Sequence, residues 1–178
     1  MAITATDILY KFSVTAAAGD TTAGTAAGSL GDQISTTQIT DATLHNLFDV
    51  VTGDENAASD VEYRCIFVHN NHATLTWENV VVWLSSETAG GAVAAISVDT
   101  TGVTPKGQAS AQAKSVADES TAPATQTFTA PTTKGTGLSI GNIPAGSVQA
   151  IWVRRSAANT AAVDTDGVVI RCEGDTAA

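Results

Sequence analysis

The chain has 178 residues, a length at which one domain buries roughly 70% of its unfolded surface and needs neither disulfides nor metals to hold a core. Only 15% of the residues are charged and 5% aromatic, while Ala, Thr, Gly and Ser abound, which suits small-residue loops between short strands better than long salt-bridged helices. The formal charge of −10 argues against binding a phosphate backbone, which needs clustered Lys and Arg to displace counterions, so nucleic acid is not an expected partner.

In chain order, Ile8, Tyr10, Phe12 and Val14 alternate with Leu9, Lys11 and Ser13 and predict a first strand over 7–15. Residues 16–33 hold four glycines (Gly19, Gly24, Gly28, Gly31) and almost no bulky side chains, as in a long loop or an arm that orders only against something else. Asp41 is placed to cap a short helix whose apolar positions are Leu44, Leu47, Phe48 and Val51, ending at Gly53.

Residues 61–84 carry the clearest pattern. Val61, Tyr63, Cys65 and Phe67 alternate with Glu62 and Arg64, and after His69-Asn70-Asn71-His72 Leu75, Trp77, Val81 and Trp83 again share one parity, so the spacing predicts two strands joined as a hairpin through Asn-Asn. A strand over 92–99 follows, then a small, polar stretch over 102–125 with Pro105 and Pro123, read as an exposed excursion able to hide a short strand. Strands at 125–130, 138–140, 148–155 and 167–173 complete the set, separated by Pro131, Gly135, Gly137, Pro144-Ala145-Gly146 and Asp166-Gly167. Short strands with such breaks predict a single all-β domain over 1–178, an antiparallel β-sandwich of jelly-roll or immunoglobulin-like type, with at most one or two short helices.

Charge is lopsided. Residues 1–89 hold two bases (Lys11, Arg64) against eleven acids, and residues 90–178 hold six against seven. An acidic half keeps a surface soluble, repels copies of itself or meets a basic partner. With no charged-then-apolar leader and no apolar run of membrane-spanning length, the expectation is a soluble product of the cytoplasm without a membrane partner. In that reducing setting Cys65 and Cys172, both in apolar strand patterns, are expected as buried thiols.

Candidate chemistry is sparse. His69 and His72 supply two ligands at most, short of the four of a closed zinc site. Asp164-Thr-Asp166-Gly opens like a calcium loop but lacks its third oxygen donor and distant Glu, and the acids Asp49, Asp54, Glu55 and Asp60 read as loop solvation. His45 has no nucleophile elbow beside it, and Gly135-x-Gly137 lacks the third glycine of a dinucleotide site. No catalytic residue, metal ligand or cofactor is assigned, and the expectation is a protein that is not an enzyme. Trp77, Trp83 and Trp152 are read as core, and Arg154-Arg155 as one Arg on each sheet face or both at a strand end.

Residues 63–75 (YRCIFVHNNHATL) and 143–155 (IPAGSVQAIWVRR) resemble segments of virion structural proteins of tailed bacteriophages. The resemblance implies a capsid decoration protein, a β-sandwich that binds the major capsid protein on the virion surface, reinforces the shell noncovalently and assembles as a homo-oligomer with a trimer favoured. Under it, the interface residues are Gly19, Gly24, Gly28 and Gly31 of the arm with Arg154 and Arg155. The alternative is a tail or baseplate accessory protein whose exposed aromatics stack on sugar rings.

Overall fold

The computed structural model describes residues 2–16 and 18–176. Its strands are β1 (Ile8–Val14), β2 (Gln33–Gln38), β3 (Val61–Asn70), β4 (Trp77–Glu87), β5 (Val93–Val98), β6 (Thr104–Pro105), β7 (Leu138–Ile143), β8 (Ser147–Ser156) and β9 (Val168–Thr176), with one short α-helix, α1 (Gly53–Ala58), and three single 3-10 turns among the described residues. They form two antiparallel sheets, one ordered β2-β1-β3-β8-β5 with β6 also on β8, the other β7-β4-β9. The sheets pack face to face as an all-β sandwich. Their shared core joins Ile66, Val68, Ile151 and Val153 of the larger sheet to Val80, Val82, Leu84 and Ile143 of the smaller.

The predicted hairpin is not one. β3 pairs with β1 and β8, whereas β4 pairs with β7 and β9, so the two strands belong to opposite sheets. The buried Asn70 side chain donates to the Leu75 carbonyl (2.9 Å) and to the Ile143 carbonyl (2.9 Å). The ring Nδ1 of His72 accepts the N–H groups of Thr74 and Leu75 at 3.1 and 3.0 Å. These bonds stabilise a longer connection that carries the chain between sheets, and turn chemistry alone does not distinguish it from a two-residue hairpin loop.

Two other local expectations are corrected. Register shifts in β4 after Trp77, with Asn79 at a φ of 52°, put Trp77, Val80, Val82 and Leu84 into the core. An inserted residue reverses side-chain alternation, so Trp83 does not share the inward face of Trp77. No helix spans 41–51. Helix α1 instead starts where the helix was expected to stop, because the Thr52 hydroxyl accepts the Glu55 N–H while the Glu55 carboxylate accepts the Thr52 N–H, a reciprocal capping box.

The larger sheet is buried on both faces. Away from the smaller sheet, Cys65, Phe67, Ala150 and Trp152 pack with Ile34 and Ala113, with Tyr63, Val116 and Phe128 beside them. The cover is irregular chain: Cys65 N–H donates to the Ser29 carbonyl, and Gly31 bridges to Ser115. The 102–125 stretch is therefore not a simple exposed excursion, since Gln112 and Ala113 are buried in it. Within 125–130 only Thr129 pairs, with Ile96 of β5, so no strand forms there. Cys65 belongs to this loop-side cluster and Cys172 to the fringe of the inter-sheet core; both thiols are free, Cys65 buried and Cys172 half-buried.

Candidate functional site

Three of the four glycines of the predicted arm are packed against their own domain. Gly19, Gly24 and Gly31 are buried and Gly28 is exposed. A Cβ on Gly19 would sit 2.5 Å from Gln33 Cβ, one on Gly24 2.6 Å from Ser35 Oγ, and one on Gly31 1.8 Å from the Lys114 carbonyl oxygen. Their smallness lets this segment lie flat against β2 and against residues 112–116. These contacts tie the segment to the body as part of its third layer.

Arg154 and Arg155 project to opposite faces of β8, as strand alternation requires. The Arg154 guanidinium lies 5.6 Å from the Phe128 ring centre, on the loop side. Arg155 Nε donates to Glu62 at 2.6 Å, and its terminal nitrogens bond Glu62, the Asp49 carbonyl and the Asp49 carboxylate. Burial pushes the Glu62 carboxyl upward, opposed by the bond and charge of Arg155. The Phe48 ring sits between two cations, Arg155 at 4.8 Å and Arg64 at 5.5 Å, and Arg64 pairs with Glu119. Arg155 is thus held by carboxylates within the chain, whereas Arg154 meets the Phe128 ring and its buried Nε has no hydrogen-bond partner among the described residues.

Beyond Phe48 the sandwich opens. A groove of about 1250 Å³ lies between residues 39–53, residues 157–167 and the start of β9, and reaches inward to Tyr10, Ile66 and Ala94. Leu44 and Val50, 65% and 58% exposed, and Val169, 53% exposed, are among its lining residues. Five carboxylates line it, Asp41, Asp49, Glu87, Asp164 and Asp166, against the single guanidinium of Arg155. Its walls are tied back: the Asn56 amide donates to the Thr160 carbonyl at 2.7 Å, and Asp166 accepts the Ala92 N–H at 2.7 Å. The groove is apolar inside and acidic around.

Of the groove's residues, sequence reasoning placed Arg155 alone in a site, and it weighed Asp49, Asp164 and Asp166 for calcium before reading them as loop solvation. The available signal was the run of Leu44, Leu47, Phe48, Val50 and Val51, which a helix reading buries on one face. In irregular backbone, with Ala42 and His45 at positive φ, the run splits, so that Phe48 is half-buried between arginines and Leu44 is exposed.

The residues weighed for chemistry do not converge. His45 is exposed, His72 caps its own turn, and His69 is buried with Nδ1 lacking a partner, its pKa lowered to about 4 by burial, Lys11 and Lys106. Among the described residues no three His, Cys, Asp or Glu side chains group to hold a metal. Trp77 and Trp152 lie in the two core clusters, Trp83 is buried outside both beside the Arg171 guanidinium, and every Tyr and Phe is buried or half-buried. No helix among the described residues is long and apolar enough to cross a membrane. Comparison with known proteins gave no match: no family model, curated protein or solved structure is significantly similar to this chain.

Proposed function

We propose that this protein is a structural virion component that decorates a bacteriophage capsid, binding the major capsid protein noncovalently and reinforcing the shell as a homo-oligomer. The observation that carries the reading is the apolar, acid-lined groove on a body whose main sheet is buried on both faces: a firm scaffold presenting a contact surface. The phage resemblance adds support through residues 63–75 and 143–155, which include the paired central strands β3 and β8. The sugar-binding alternative has less support because no Trp, Tyr or Phe among the described residues is exposed.

The mechanism is differential affinity. A protein that binds the assembled shell more tightly than its free subunits shifts the equilibrium toward the shell by that difference. Copies held at symmetry-related sites gain further, because a second contact by a tethered copy is effectively intramolecular. The test is to add purified protein to preformed, expanded capsids, image the particles, and heat decorated and bare shells in parallel. Density at symmetry-related head positions with higher thermal resistance is expected. Density confined to the tail tip, or absence from the virion, overturns the reading.

A further inference from the structure

We infer that the groove receives an extended apolar segment bearing Lys or Arg, supplied by another protein, with the open edge of β9 providing backbone hydrogen bonds. This deepens the proposed function, and rests on it only for which protein supplies the segment.

The edge can be located from the hydrogen bonding. β9 pairs with β4 alone. Leu84 of β4 stands opposite Ile170 of β9, yet its N–H donates to the Pro131 carbonyl and so is turned away from β9. In an antiparallel pair, facing residues either exchange both peptide bonds or turn both outward. The N–H and C=O of Ile170 therefore point to the free edge, and Ile170 lines the groove. An open strand edge beside apolar surface is a template for adding a strand, main-chain bonds giving affinity and alternate side chains filling pockets.

Charge selects the occupant. Arg155, the groove's guanidinium, is already bonded to Glu62 and Asp49, leaving Asp41, Glu87, Asp164 and Asp166 without a base opposite them. Basic side chains along an apolar segment would face these carboxylates on entry, whereas a second copy of this chain, at −10, brings acid against acid.

The test selects ten-residue peptides from a displayed random library on the folded protein, with two variants in parallel. Ile170→Pro removes the edge N–H, and Leu44→Lys places a repelling charge at an exposed position where folding is not at stake. Enriched peptides should alternate apolar with basic residues, bind the Leu44→Lys protein about tenfold more weakly, and lose affinity as salt rises. Acidic or unpatterned peptides, or equal binding by Leu44→Lys, overturn the inference. Capsid binding separates it from the proposed function: Leu44→Lys attaching to shells as well as the unaltered protein sinks the groove assignment alone, while patterned peptide binding without shell attachment sinks the decoration reading alone.

Discussion

β3 and β8 are covered on one face by a second sheet and on the other by irregular chain, and the two covers hold by different physics. Toward β4 and β7, Ile66, Val68, Ile151 and Val153 pack on apolar side chains, and the ladders of both sheets already satisfy the backbone. Toward residues 18–33 and 99–130 the pairing is confined to the two-residue β6 and the Gly31–Ser115 and Thr129–Ile96 bridges, and the other buried peptide groups must find partners one by one. A few side chains supply them. Asp99 accepts from Trp152 Nε1 (2.8 Å) and the Lys114 N–H (3.0 Å), while Gln112 accepts from the Ile34 N–H (2.9 Å) and donates to the Pro105 carbonyl (2.7 Å). Apolar packing spreads cohesion over many contacts; the irregular cover concentrates it in single residues.

The sharpest break should come at Gly31, whose φ of +97° is strained for any side chain and whose Cβ would meet the Lys114 carbonyl oxygen. Gly31→Ala is expected to cost about 4–5 kcal/mol, measured by urea denaturation, and a loss under 1 kcal/mol would show that the cover shifts freely. Asp99→Ala follows at about 3–5 kcal/mol, because it strands a buried indole N–H and two backbone N–H groups at once. Tryptophan fluorescence should report it directly through Trp152. Deleting residues 16–31 belongs with these: it exposes the Cys65 and Phe67 face, so the expected result is unfolding rather than a folded body lacking an arm.

The same contrast explains what the sequence made legible. Strands β1, β3, β5, β8 and β9 were readable because apolar period-two runs dominate them, and so was the sandwich. β2, QISTTQ, was missed because polar residues fill a strand whose burial comes from the irregular cover and from β1. The cover itself looked like exposed loop, since hydrogen bonding by Gln33 and Gln112 leaves no hydrophobic periodicity. Which sheet receives β4 depends on pairing partners far along the chain, beyond the reach of the Asn70-Asn71 signal. The Thr52-x-x-Glu55 box, by contrast, was visible in the sequence and outweighed only by the apolar run before it. The groove was hidden for a related reason: its walls come from segments about 110 residues apart, each unremarkable alone.

Smaller changes on the polar side sharpen the comparison. Gln112→Ala should cost about 2–3 kcal/mol, since it strands the buried Ile34 N–H and removes the amide that ties the Pro105 and Lys106 carbonyls to the cover. His69 gives a pH handle on β3. Its pKa is lowered to about 4 in the fold against about 6.5 unfolded, so its contribution is fully present above about pH 6.5 and lost as pH falls toward 4, where the unfolded chain takes the proton first. Stability should drop by about 2 kcal/mol from this group between pH 7 and pH 5. In His69→Gln that increment should vanish; an unchanged pH dependence would remove His69 as its source.

The smallest effect is expected on the apolar face. Ile151 is fully buried between the sheets, and Ile151→Val deletes one methylene while leaving every polar group paired. The cost is the transfer free energy of that group plus a small cavity, about 1 kcal/mol, and neighbouring side chains such as Val82 can close part of the gap. Set beside Gln112→Ala, this tests the contrast itself, because both residues are buried and both changes remove side-chain atoms. If the two losses are equal, the irregular cover is held by packing like the second sheet, and the distinction between the faces fails. If Gln112→Ala costs at least twice as much, hydrogen-bond satisfaction is the limiting requirement where chain without a ladder covers a sheet. Paired denaturation curves at about pH 8, where His69 is neutral in both states, supply the measurement without interference from its titration.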